Sequence, residues 1–425
     1  MRLNMKSNSK LLLERLLVAA FFLYIEWYKQ IWGDNLRILY GSVFVLSCLI
    51  LFRMIRERYF QIGAMPSLLK MFILYFVFSI SGVFVARDID VLFSSLITFV
   101  CFIVVCFDCW YISFQLGNVD WLYKILGLIA LICSVQVIFC GKPYNNGVIV
   151  TTMSNINNPN TLGLTLITGI LSFVINVDFK SQFSFFVSLV TSVMMLYGII
   201  LSGSRKCLLV SAPILIFWLF SYVRTTIKER RYRRLLITLL LIAIAIYTGA
   251  IYLAQSFQST AAFERLMLLF QEGGMSTRIG LYHDAVDYFK TSPIIGIGFG
   301  QYRLWSPHRY YSHSSYAEVL SCGGLIGVCI FFLPLFKCLC SCIHQAFQKD
   351  QPEKKYRLRM LMLMLFSELF LGLGQIFIYD VLHMLMLVLI SMECRPVFKV
   401  DIRSRNQFEA NNLYQAFSVL KENDS

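Results

Sequence analysis

What most constrains this chain is a series of apolar runs that recurs along nearly its whole length. They lie near residues 12–28, 37–52, 68–85, 91–114, 121–140, 160–177, 184–202, 207–223, 235–254, 316–340, 360–378 and 381–393. Most are about as long as a helix needs to cross the hydrocarbon core of a bilayer. Lipid offers backbone N–H and C=O groups no partner, so runs of this kind fold as helices. Composition agrees: 58% of the 425 residues are hydrophobic, against roughly 45–50% in soluble domains, and the mean hydropathy is +0.67. The expected fold is an all-α polytopic membrane protein of about twelve transmembrane helices. A long extracytoplasmic loop separates the ninth and tenth. The chain then divides into 1–254 (helices one to nine), 255–315 (the loop, with a short helix and a Pro/Gly turn), 316–394 (helices ten to twelve) and a cytoplasmic tail, 395–425. Only Tyr379 and Asp380 separate the last two runs, which read as a tight hairpin or one bent element.

The net charge of +14 does not imply a nucleic-acid partner, because the basic residues cluster in short connections. Segments 53–58, 224–234 and 349–359 are densely basic and fall on one side under the twelve-span count. That side is expected to be cytoplasmic. Arg2, Lys6 and Lys10 precede an apolar run as in a signal peptide, but Ala19 and Ala20 lie inside the run rather than after it. The segment reads as an uncleaved first span with an interfacial belt at Tyr24–Tyr28. The outer side then receives 141–159, 203–206 and the loop 255–315. Most of the 13 cysteines sit within apolar runs, where a thiol behaves as a small apolar group. Cys338, Cys340, Cys342 and His344 are metal-ligand types, but no second cluster with zinc spacing accompanies them. Neither a metal nor a cofactor is expected.

The three outer segments hold the polar motifs. In the first, Asn155, Asn157, Asn158 and Asn160 surround Pro159, a residue suited to the first turn of a helix. This is either a capped helix start or a set of amides that bind hydroxyls or an anion at a helix N-terminus. In the second, Ser202-Gly203-Ser204-Arg205-Lys206, two cations oppose the positive-inside trend. Either both snorkel to lipid phosphates, or the planar fork of Arg205 grips a phosphate or diphosphate.

The third segment contains Ile279, Tyr282, Val286 and Phe289 at helical spacing, capped by Ser276 or Thr277. Arg278 falls in the first turn, where the helix dipole disfavours a cation. It is either solvated or paired with an anionic partner, with Arg265, Arg303 and Arg309 as competitors. Gly296, Gly298 and Gly300 lack the strand–turn–helix setting of a nucleotide loop. They read as a tight turn that admits a ligand or another helix. His313 opens the tenth span and is suited to act as a base, with His283 and His308 nearby. Ser314 and Ser315 follow it, and Glu318 is an intramembrane carboxylate, a functional candidate by default. Asp380 and His383 are further candidates to line the same cavity. The loop aromatics Tyr282, Tyr288, Tyr302, Trp305, Tyr310 and Tyr311 either stack on sugar rings or anchor at the membrane surface.

In order and spacing, this set resembles the O-antigen ligase and polymerase superfamily of bacterial envelopes. The resemblance is carried by N-P-N at 158–160, S-G-S-R at 202–205, T-R followed by P-x-x-G-x-G at 277–298, and H-S-S-Y-A-E-V-L-x-x-G-G-L-I-G from His313. The first five spans contribute only hydropathy. The family often has His-Asn where this chain has His313-Ser314, which passes any acceptor-positioning role to Ser314 or Ser315.

The resemblance implies a metal-independent, inverting glycosyltransferase of the bacterial cytoplasmic membrane with its site facing outward. Its donor is expected to be a glycan on undecaprenyl diphosphate. Expected catalytic residues are His313, Arg278 and Arg205; Asn158, Asn160, Ser204, Lys206, Ser314 and Glu318 are expected to bind substrate. A flippase and a chain-length regulator are expected partners beside the bilayer itself. Polymerisation of repeat units into O-antigen, capsular or exopolysaccharide is the favoured activity, since the chain shows no obvious outer domain for a bulky acceptor. Ligation to another acceptor is the alternative. Transport of the same lipid-linked sugars is a further one, but it predicts midplane polar residues and internal repeats, and no convincing repeat relates the halves.

Overall fold

A computed structural model of the chain describes residues 11–33, 35–57, 62–145, 149–154, 157–236, 238, 240, 276–307, 309–348 and 352–394. Helices occupy eleven of the twelve expected segments. They are α1 (Leu12–Leu23, continued by a π turn at Tyr24–Tyr28 and by Lys29–Trp32), α2 (Leu36–Glu57), α3 (Ser67–Ser79), α4 (Ile89–Leu116), α5 (Asp120–Cys140), α6 (Pro159–Ile175), α7 (Gln182–Ser202) and α8 (Arg205–Lys228). Then follow α9 (Ser276–Thr291), the loop helix, and α10 (Ser315–Phe347), α11 (Pro352–Leu371) and α12 (Val381–Glu393). Most of the ninth expected span, 235–254, the first third of the loop, 255–275, and the tail lie outside the described residues. Among the described residues, seven helices are long and apolar enough to cross a membrane, and α6 and α12 are shorter apolar helices. An antiparallel hairpin, Lys142–Asn145 with Ile149–Thr152, is the one addition to the all-α expectation among these residues.

Helices α6 and α12 are buried on nearly every face. A helix apolar all round belongs at the centre of its fold, and α6 packs between α5 and α7 while α12 packs on α3, α4 and α11. Both begin at the same end of the bundle, so their N-termini place polar groups at its middle.

The opposite end is pinned by charge. Arg357 of α11 holds both carboxylate oxygens of Glu393, with Asp120 Oδ1 2.8 Å and Asn176 Oδ1 2.9 Å away. Tyr123 adds a hydrogen bond to Glu393 at 2.9 Å, and Arg53 pairs with Glu14 at 2.5 Å. The three alternating cysteines of α10 diverge there: Cys338 and Cys342 are buried while Cys340 is exposed.

The last two runs are neither one bent helix nor a hairpin turning at Tyr379-Asp380. Helix α11 stops at Leu371, and residues 372–380 form a strap containing one 3₁₀ turn, Phe377–Tyr379. Asp380 then caps α12, its Oδ1 accepting from the N–H groups of Leu382 and His383. Helix α10 is also interrupted. Gly324 takes φ +58° and ψ −159°, and the Pro/Gly turn fills the gap. Ile297 and Gly298 donate to the carbonyls of Ser321 and Cys322, while Leu325 and Ile326 donate to those of Pro293 and Ile294. A Cβ on Gly296 would lie 2.4 Å from the Cys322 carbonyl, and one on Gly324 2.6 Å from Gly296 N. The glycines admit a neighbouring backbone, one of the two roles expected of the turn.

Candidate functional site

Among the helices that start at this end of the bundle are α6, α8, α10 and α12. Their N-terminal amides carry partial positive charge that favours anions. Asn158 caps α6, its Oδ1 accepting from Asn160 N at 2.9 Å, and the residue is exposed. Asn157 is fully buried and ties this turn to α1 through Gln30 Oε1 at 3.0 Å. Asn155 lies outside the described residues.

Asn160 is the junction of the site. Its Oδ1 accepts from Ser204 Oγ at 3.0 Å, which joins α6 to the start of α8. Its carbonyl accepts from Gln375 Nε2 at 3.0 Å, which joins both to the strap. Arg205 and Lys206, both part-exposed, follow Ser204 in the first turn of α8. Two cations at a helix N-terminus oppose the dipole, an arrangement that a bound anion relieves. Lys206 reaches the strap: its Nζ lies so close to Gly374 that an added Cβ would be 1.2 Å away.

The strap is held from the other side by α10. Ser315 N donates to the carbonyls of Gly372 at 2.8 Å and Gln375 at 3.0 Å. Ser315 Oγ donates to Gln375 O at 2.8 Å and accepts from Phe377 N at 2.9 Å. Tyr282 of α9 donates to Leu373 O at 2.7 Å, so the loop helix also lands on the strap. Arg278 lies one turn earlier, in the first turn of α9; its side chain falls outside the described residues. Among the competitors, Arg303 donates to Tyr311 Oη at 3.0 Å, whereas Arg265 and His308 lie outside the described residues.

His313 stands two residues before Ser315. It is exposed and takes φ +54°, a left-handed conformation that costs a non-glycine residue ~1–3 kcal/mol. Its neighbours face inward. Ser314 is 3% exposed and caps α10, its hydroxyl accepting from Ala317 N. Glu318 is fully buried; it accepts from Ser312 Oγ at 2.6 Å, Ser312 N at 3.2 Å and Tyr379 Oη at 2.9 Å. The positions expected to bind substrate at Ser314 and Glu318 are therefore occupied by protein groups, and both shape the turn that presents His313. Ser315, the other heir to the family's asparagine, is likewise taken up by the strap.

Beneath the strap lies a buried polar chain. Gln375 Nε2 is committed to Asn160 O, so its Oε1 accepts from His383 Nε2 at 3.0 Å. The remaining ring nitrogen, Nδ1, lies 2.5 Å from Glu368 Oε2. His383 and Glu368 are both fully buried. Glu26, on the π turn of α1, accepts from Thr165 at 2.5 Å and lies within electrostatic reach of Asp380 and His383. His383 thus supports the strap from below rather than facing outward. Outside the bundle, Asp287 is held below the usual carboxylate range by Lys290, 2.8 Å away.

The structure brings together Asn160, Ser204, Lys206, Ser315 and, unforeseen, Gln375. Its signal in the sequence is slight: one amide between Gly374 and Ile376 in an apolar run. Glu368 carried the same signal as Glu318, a carboxylate inside a span.

No curated protein matches the chain. The described helices point to a multi-pass membrane protein. Residues 190–332, which hold Arg205, Arg278 and His313 but neither Asn160 nor the strap, match the family model described as O-Antigen ligase, which bears out the resemblance to the O-antigen ligase and polymerase superfamily.

Proposed function

We propose that this protein is a glycosyltransferase that polymerises undecaprenyl-diphosphate-linked repeat units at the outer face of the bacterial cytoplasmic membrane. The observation that carries the reading is one junction: the cationic start of α8 is tied through Asn160 to the strap, and the strap is tied through Ser315 to the turn bearing His313. Anion-binding groups and a base candidate thereby share one rigid frame.

In the proposed reaction the diphosphate rests on Arg205 and Arg278, with Lys206 beside it. An acceptor hydroxyl attacks the anomeric carbon as the bond to the diphosphate oxygen breaks. His313 takes the hydroxyl proton, and the two arginines neutralise the charge that grows on the leaving diphosphate. Attack opposite the leaving group inverts the centre. A charge-screened diphosphate leaves readily, so no general acid is invoked. Support for polymerase over ligase is the outer end: among the described residues it holds a two-stranded hairpin, α9 and the connection from α9 to α10, which suits a second lipid-linked repeat unit as acceptor. The description of the matching family favours ligation as the second reading.

The test is reconstitution of the purified protein with synthetic undecaprenyl-diphosphate repeat unit alone, read by gel and mass spectrometry. The expected result is a ladder of lengthened lipid-linked glycans that His313→Ala abolishes at equal protein level. Donor binding without a ladder, followed by transfer once a lipid A core is added, would replace polymerase with ligase. Full-length ladders from His313→Ala or Arg278→Ala would remove that residue from its role.

A further inference from the structure

At the end of the bundle opposite the candidate site, Arg234 is 6% exposed. Its Nη1 donates to Lys180 O at 2.9 Å, and its guanidinium lies 5.6 Å from the Tyr222 ring centroid. Among the described residues, Nε and Nη2 have no hydrogen-bond partner. Those two nitrogens form one edge of the guanidinium fork, with parallel N–H groups spaced for two oxygens of a single anion. The same molecule shows that edge filled elsewhere: Nε and Nη2 of Arg357 hold both oxygens of Glu393.

Arg234 opens into a cavity of about 340 Å³ lined also by Gln182, Phe183, Phe186, Tyr222 and Thr238. That volume falls within the range of small-ligand sites. None of the described lining residues is acidic. A buried cation with an unfilled fork is costly unless an anion completes it. The rim is apolar and faces outward, with Phe183 78% and Phe186 52% exposed. The surrounding segment, 224–234, is densely basic, the composition that gathers anionic lipids at a membrane surface.

We propose that this cavity binds a phosphoryl group, held bidentate by Arg234, and that in the membrane it belongs to an anionic lipid whose acyl chains lie along Phe183 and Phe186. The site is remote from the glycan chemistry and serves to seat the protein on a particular lipid.

The test uses the full-length protein in detergent, titrated with phosphatidylglycerol, phosphatidylcholine and inorganic phosphate and read by native mass spectrometry. Phosphatidylglycerol is expected to bind at least about tenfold more tightly than phosphatidylcholine. Arg234→Lys keeps the charge but loses the fork, and is expected to weaken phosphatidylglycerol binding about tenfold while leaving polymer formation intact. Phe183→Ala, at an exposed rim position, is expected to weaken the lipid about threefold without changing phosphate binding. Equal lipid retention by wild type, Arg234→Lys and Arg234→Gln would overturn the site. Inorganic phosphate that binds through Arg234 while the two lipids bind alike would overturn the lipid as its source.

Discussion

Two helices are broken at the same end of this bundle, and they are mended in different ways. In α10 the gap at Gly324 is closed by backbone alone, through four hydrogen bonds to the turn that carries Pro293 to Gly298. Between α11 and α12 the gap is closed largely by side chains, those of Ser315, Gln375 and Tyr282, together with the Ser315 N–H and the Asn160 carbonyl. The first repair uses the groups that the break liberates and leaves little for a ligand. The second leaves amides, a lysine and helix N-termini around a strap. A motif of glycines thus marks scaffolding here, while a single glutamine marks the candidate chemistry.

The comparison breaks most severely at Gly324. Gly324→Ala forces a side chain into a left-handed residue and against backbone that cannot move aside. It should cost about 3 kcal/mol or more, seen as lost folded protein in detergent size-exclusion profiles. Gln375→Ala should do the reverse, leaving yield near wild type while lowering the polymerisation rate on the order of 10²-fold through misplacement of Asn160 and the strap. If it instead lowered yield as Gly324→Ala does, the two breaks would be equivalent and the contrast would fail. Ser315→Ala removes the hydroxyl but keeps the backbone bond to Gly372, and should slow the reaction roughly tenfold with a melting midpoint only slightly reduced. Tyr282→Phe removes one hydrogen bond to Leu373 O, worth ~1 kcal/mol; its effect should be confined to donor affinity, measured by titration with the lipid-linked repeat unit.

Hydropathy made the helical segments legible because lipid and a packed core impose the same rule on backbone groups. It could not register the breaks. The stretch 372–379 reads as apolar, so nothing in it announces that α11 stops at Leu371. Gly323 and Gly324 read as helix because freed backbone groups that find another backbone leave no trace in composition. The motifs around Asn160, Arg205 and His313 were visible as misplaced polarity at expected outer helix ends. Ser314 and Glu318 carried the same polarity and proved inward-facing, because burial depends on which neighbour supplies the donor. Ser312 and Tyr379 do so for Glu318, and Tyr379 is distant in sequence.

The shortness of α12 has a chemical consequence. Its 13 residues climb about 20 Å from the Arg357 network, whereas the 21 residues of α5, rising from the same level, climb about 31 Å. The strap therefore lies about 10 Å below the upper end of α5, level with the starts of α6 and α10 to which it is bonded. In the proposed reaction, an activated sugar at the strap would meet two rival nucleophiles, water and the acceptor hydroxyl. A site set below the rim of α5 would limit the supply of the first. For the proposed reaction, fidelity would be read as how little free oligosaccharide the enzyme spills.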